Sequence, residues 1–179
     1  TFTLDPGVAL TDGETCTLTV LASQVSDQDG NDPPDNMVAN FTVGFTAFDV
    51  CEAAYTPVPT IQGSGLSTPI PGAVTTKGVV VGDFEGTAAA SGFYLQDATG
   101  DGDATSSDGI FVFTGSANLV NLGQVVRVTG YARERFNQTT LNGPDGNSVP
   151  VPSANIVGCG TGSIAPTDVT LPFADATIP

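Results

Sequence analysis

Asp97, Asp101, Asp103 and Asp108 fall within one stretch, GFYLQDATGDGDATSSDGIFVF (92–113), between two apolar runs and with no basic residue among them. Hard cations such as Ca2+ take roughly six to eight oxygens and mix carboxylates with backbone carbonyls. Asp101-Gly102-Asp103 offers alternate ligands, and Asp97 and Asp108 could close the shell from the two strand ends. The stretch lacks the glutamate that closes an EF-hand loop. The competing reading is a solvated connection in which Asp and Gly serve turn geometry. A second acidic loop, SDQDGNDPPDN (26–36), carries Asp27, Asp29, Asn31, Asp32 and Asp35. Its D-x-D-G-N run resembles a Ca2+ loop, but two prolines interrupt it. A hairpin connection suits that composition better, with a cation as the weaker alternative.

Catalysis by these acids meets an obstacle elsewhere in the chain. There is no histidine among the 179 residues. Ser-His-Asp and Cys-His chemistry and every His-ligated metal site are therefore excluded. Lys77 is the one amine side chain. Carboxylate-only chemistry, as in glycoside hydrolysis, stays formally open. The aspartates, however, sit in Gly-rich loops where burial would not raise a pKa.

The basic residues are concentrated. In QVVRVTGYARERF (124–136), alternation puts Val125, Arg127, Thr129, Tyr131, Arg133 and Arg135 on one face of a strand. Val126, Val128, Gly130 and Ala132 take the other face. Arg127, Tyr131, Arg133 and Arg135, with Phe136 adjacent, could form a groove for single-stranded nucleic acid. Glu134 interrupts the group, and 19 acids against 4 bases give a net charge of −15. Phosphate affinity grows with accumulated positive charge, so nucleic acid is expected to bind weakly if at all. The favoured reading is that these arginines pair with nearby acids or lay their stems over apolar surface. The same charge opposes docking on an anionic membrane, and no run of apolar residues is long enough to span one.

The elements that must position these residues read as strands. CTLTVLA (16–22), ANFTVGFTA (39–47), TTKGVVVGDF (75–84), GFYLQDA (92–98), GIFVFTG (109–115), QVVRVTGYARE (124–134), QTTLNG (138–143) and SANIVGCG (153–160) are rich in Val, Thr and Phe. Glycine and proline bound them, and no 3.6-residue apolar period persists, so the chain is expected to be all-β. FDVCEAAYTPVPT (48–60) breaks the strand rhythm and marks a boundary. Residues 1–50 form one β unit with too few strands for a sandwich core of its own. Residues 51–58 are read as a linker, 59–172 as a second unit and 173–179 as a linker leading onward. The chain begins in what already reads as a strand, so a processed or excised fragment is expected.

In order, PTIQGSG (59–65), TTKGVVVGDF, GFYLQDATGDGDATSSDGIFVF, NLGQVVRVTGYARERFNQTTL and IVGCGTGSIAPTDVTLP resemble the OB-fold-like domain of bacterial extracellular nucleases. LTDGETCTLTVLASQVSDQDGNDPPDNMVANFTVGFTA resembles the C-terminal half of a bacterial Ig-like domain. The resemblance implies a partial Ig-like β-sandwich unit followed by an OB-like β-barrel. It also implies an extracellular or cell-surface parent with a downstream endonuclease/exonuclease/phosphatase-type catalytic domain as partner. No activity is implied for these residues themselves. The expected role is a non-catalytic accessory or spacer module, with Ca2+ in the acidic loops. Two alternatives stand beside it: a surface-layer or filament subunit that exchanges strands with other copies of itself, and a carbohydrate- or matrix-binding β module.

Three cysteines, Cys16, Cys51 and Cys159, leave one without a partner inside the chain. Chain position favours Cys51–Cys159, which would staple the ends of the second unit. In that case the partner of Cys16 belongs to the missing half of the first. Cys16–Cys51 is the alternative.

Overall fold

The computed structural model describes residues 6–8, 10–27, 35–86 and 90–166. The chain divides into two compact units, Thr1–Ala53 and Ala54–Pro179. Residues 54–58 fall in the second of these units. Thr56 N–H donates to the Thr75 carbonyl at 2.7 Å, and a helix starts at Val58.

In the first unit, β1 (Thr15–Val20) pairs antiparallel with β2 (Phe41–Thr46), in register from Thr15↔Thr46 to Val20↔Phe41. Directly opposed residues share a face. Cys16, Leu18, Val20, Phe41, Val43 and Phe45 thus form one apolar face, and Thr15, Thr17, Thr19, Thr42, Gly44 and Thr46 the other. Phe41, Val43 and Phe45 are exposed. Two strands alone do not bury such a face, as their number in the sequence implied.

The second unit is a closed five-stranded barrel. Its strands are β3 (Gly72–Phe84), β4 (Gly92–Gln96), β5 (Gly109–Phe113), β6 (Gln124–Arg135) and β7 (Gln138–Asn142). They pair in the order β3-β4-β5-β7-β6, and β6 returns to β3. All contacts are antiparallel except β5–β7, which is parallel. Strand order 1-2-3-5-4-1 with that single parallel pair is OB-like topology. A further strand, β8 (Ile156–Thr161), pairs with the N-terminal half of β6. The expectation of an all-β chain, a small β unit followed by an OB-like barrel, is met.

Closure needs β3 to serve two neighbours. Its first half pairs with β6 and its second half with β4, with the register shifting between Val80 and Gly82. Such a bulge bends a strand and increases its twist. Gly78 lies where the two pairings meet, and a Cβ there would stand 2.4 Å from the Gln96 carbonyl oxygen. Only a residue without a side chain allows that approach.

Val80, Phe93, Leu95, Ile110, Val112, Val126, Val128, Ala132 and Leu141 fill the interior. They alternate with outward residues along each strand, and the alternation expected for β6 is borne out, with Val126, Val128 and Ala132 on the inner side. The helix α1 (Val58–Gln62) plugs this core with Val58 and Ile61, both fully buried. It was not legible in the sequence, because five residues are too short to show a helical period. Glu85, also buried, caps the β5–β6 connection. Its Oε2 accepts from Leu119 N at 2.7 Å and Val120 N at 3.0 Å.

If α1 is part of the core, Ile61→Ala should lower unfolding free energy by about 3 kcal/mol in urea titration. A loss within error of zero would place the helix outside the cooperative unit.

Candidate functional site

The loop joining β4 to β5 is built from aspartates that bind their own backbone. Asp97 is buried, and its Oδ1 accepts from Thr99 N at 2.9 Å and Gly100 N at 3.3 Å. Asp101 Oδ1 accepts from Asp103 N at 2.9 Å, and its Oδ2 from Ser106 Oγ at 2.8 Å. Asp103 Oδ1 accepts from Thr105 N at 2.9 Å and Thr105 Oγ1 at 2.7 Å. Each carboxylate thus closes a turn two residues ahead, which is why Asp is favoured there. The base of the loop is tied by Asp97 N–H to the Asp108 carbonyl at 2.9 Å.

Asp108 differs from the other three. Its Oδ1 is buried without a hydrogen-bond partner. Its carboxyl group lies against Gly100, where a Cβ would stand 2.7 Å from Oδ2 and 2.9 Å from Oδ1. Gly100 has φ +63, so glycine is demanded there twice, by conformation and by space. Among the described residues no group of three or more His, Cys, Asp or Glu side chains converges as a metal cage. In the 26–36 loop, Asp27 N–H bonds the Asp35 carbonyl at 3.2 Å, while Asp29, Asn31 and Asp32 lie outside the described residues.

Hydrogen bonds from Thr105, the backbone amide first and the hydroxyl second, hold Asp103 below the ordinary aspartate pKa. General acid catalysis by a carboxyl group at neutral pH needs a shift in the opposite direction.

The four basic side chains do not act as one patch. Arg127 is buried, and its Nη2 donates to the Ala54 carbonyl at 2.7 Å. Arg133 donates to the carbonyls of Gly143 and Pro144 and lies over the Tyr131 ring at 4.8 Å. Its hydrogen-bond partners are backbone carbonyls, where the sequence left open pairing with acids or covering of apolar surface. Lys77 sits over the Tyr55 ring at 5.3 Å. Arg135 alone lies over two rings, 4.1 Å from the centre of Phe113 and 4.7 Å from that of Phe136.

Arg135 belongs to an aromatic outer face that the strand pattern contains but composition alone does not announce. Tyr94 opposes Phe111 across β4–β5, and Phe111 opposes Thr140 across β5–β7. The rings of Tyr94 and Phe111 are 5.0 Å apart, and Phe84 meets Tyr94 edge-on at 6.1 Å. The signal was available: in GFYLQ and GIFVF these aromatics are out of phase with the interior residues Phe93, Leu95, Ile110 and Val112.

Cys51 and Cys159 form a disulfide, and Cys16 is free. A bridge closing so long a loop stabilises by about 4–5 kcal/mol in the chain-entropy account. Among the described residues no helix is long and apolar enough to cross a membrane.

Fold and site together define an all-β protein carrying an OB-like barrel. No protein-family model matches the chain, and neither a curated protein nor a solved structure matches it.

Asp103 has its folded-state pKa depressed, so its turn contributes stability above the unfolded value, and that contribution is lost as pH falls through the folded one. NMR titration should place Asp103 below the ordinary range, and Thr105→Val should move it back up. A titration curve indifferent to that substitution would break the assignment.

Proposed function

We propose that this chain is a non-catalytic accessory or spacer module of a secreted bacterial multidomain protein, one whose catalytic partner is of nuclease or phosphatase type. The reading rests on the acidic loop. Its best candidates for acid or base chemistry, Asp97, Asp101 and Asp103, are occupied as acceptors for their own turns. The shift at Asp103 favours the charged form, which suits a structural turn. The chain has no imidazole to take over the role.

The disulfide supports an oxidising compartment, and therefore an extracellular or cell-surface location. The order of motifs resembling nuclease-associated OB-like domains supports the nature of the parent. Purified protein incubated with bis(4-nitrophenyl) phosphate, plasmid DNA and 4-nitrophenyl phosphate in Mg2+ should show no turnover. Hydrolysis abolished by a single substitution in this chain would overturn the reading.

Calcium is the cofactor we assign to the β4–β5 loop. The buried, unpartnered Oδ1 of Asp108 supports it, since such an oxygen is costly unless something satisfies it. Asp97 and Asp103 each keep a second carboxylate oxygen outside their turn bonds to offer the ion, and Asp101 would offer Oδ2 in place of its bond from Ser106 Oγ. After chelation, Ca2+ should give heat on titration and raise the Tm, and Asp108→Asn should abolish both effects. Absence of heat together with an unmoved Tm would dismiss the cation.

A further inference from the structure

A cavity of about 250 Å3 opens on the aromatic outer face, bordered by Ser91, Tyr94, Phe111, Arg135, Phe136 and Gln138. Three independent features converge on it. The first is backbone strain. Among the described residues the non-glycine positions with positive φ are Ser91 (60°), Phe136 (55°) and Asn137 (61°). Ser91 and Phe136 line the cavity, and Asn137 links Phe136 to Gln138. Left-handed conformation is unfavourable for side-chain-bearing residues and concentrates where a site is being shaped.

The second feature is the choice of residue. Arg135 pairs with Gln138, so Phe136 and Asn137 make a two-residue hairpin turn with both φ values positive. That turn favours Asn, Asp or Gly at both central positions. Asn137 fits. Phe136 does not, and the residue is 87% exposed. Neither turn geometry nor core burial explains a phenylalanine there.

The third feature is an unanswered charge. Among the described residues the Arg135 guanidinium has no hydrogen-bond acceptor or carboxylate partner, although the chain carries 19 acids. Its Cζ lies over the Phe113 ring at 4.1 Å and over the Phe136 ring at 4.7 Å from the centres. The donors along its edge remain available for one planar anion.

We propose that this cavity binds a carboxylated sugar residue of a glycan. The carboxylate would take the guanidinium edge of Arg135, and an apolar ring face would lie on Phe136 and Tyr94. Hydroxyls would meet the Gln138 amide and the Tyr94 phenol, which already stand 3.5 Å apart. A nucleic-acid strand fits less well. It brings one phosphate per residue toward a chain of net charge −15, and Arg127 and Arg133 are already engaged with carbonyls. A glycan can present one acid among neutral residues. The site lies wholly within the barrel and does not rest on the accessory-module reading.

The test is calorimetric titration of the full chain with a glucuronate-terminated trisaccharide, its carboxyl-reduced counterpart and a dT trinucleotide. The acidic sugar should bind roughly tenfold or more tightly than the reduced one, and Arg135→Gln and Arg135→Lys should erase that margin. Phe136→Asn should weaken binding while raising the Tm by roughly 2–5 °C, because it relieves the turn. A merely structural ring would lower the Tm instead. Equal binding of the two sugars would overturn the proposal. So would tighter, Arg135-dependent binding of the trinucleotide, absence of heat with every probe, or a destabilised Phe136→Asn that keeps its affinity.

Discussion

Pairing between β3 and β6 is the contact on which the rest of the second unit depends. It joins the first strand of the barrel to the fourth, across a long stretch of chain, and turns a twisted sheet into a closed one. Closure makes the two faces of each strand unequal. Positions 126, 128 and 132 on β6 must be apolar because they enter the interior, and their neighbours must face out. A slip of one residue would exchange the two sets, so the register is strongly specified. The bulge near Val81 and the bare Cα of Gly78 let β3 bend far enough to serve both neighbours.

Once the barrel is closed, charge and aromatic character separate on its outside. Carboxylates gather in the β4–β5 loop, where their first use is to hold turns. Guanidinium groups run along β6, where two of them reach carbonyl oxygens and one lies over two aromatic rings. In a chain this acidic, abundance of carboxylate does not ensure pairing. At Arg133 the partners are backbone carbonyls within hydrogen-bond reach, because the donor geometry is local while the net charge is not.

Much of the architecture was legible. The eight strand-like runs correspond to β1–β8, with ends displaced by a few residues, because alternation of Val, Thr and Phe between glycines reports a half-buried strand directly. The two faces of β6 were legible for the same reason. α1 was not, since Val58 and Ile61 show their purpose only when the barrel end they plug exists. The aromatic face was half legible: alternation exposes Tyr94 and Phe111, but their adjacency depends on which strands become neighbours. The acidic loop was legible as a place and not as a geometry. Spacing located four aspartates together but could not say that three would fold back on their own amides while Asp108 Oδ1 stayed without a partner.

By itself, then, the order of residues determined strand identity, the all-β class, the absence of imidazole chemistry and the acidity of the surface. These follow from local periodicity and composition, which need no distant partner. Tertiary structure alone decided which strands meet, which arginine keeps its donors available and how α1 seals the core. It also decided which cysteines join and which stays free. Each of those outcomes is a distance between residues far apart along the chain, and such a distance has no value until the barrel closes.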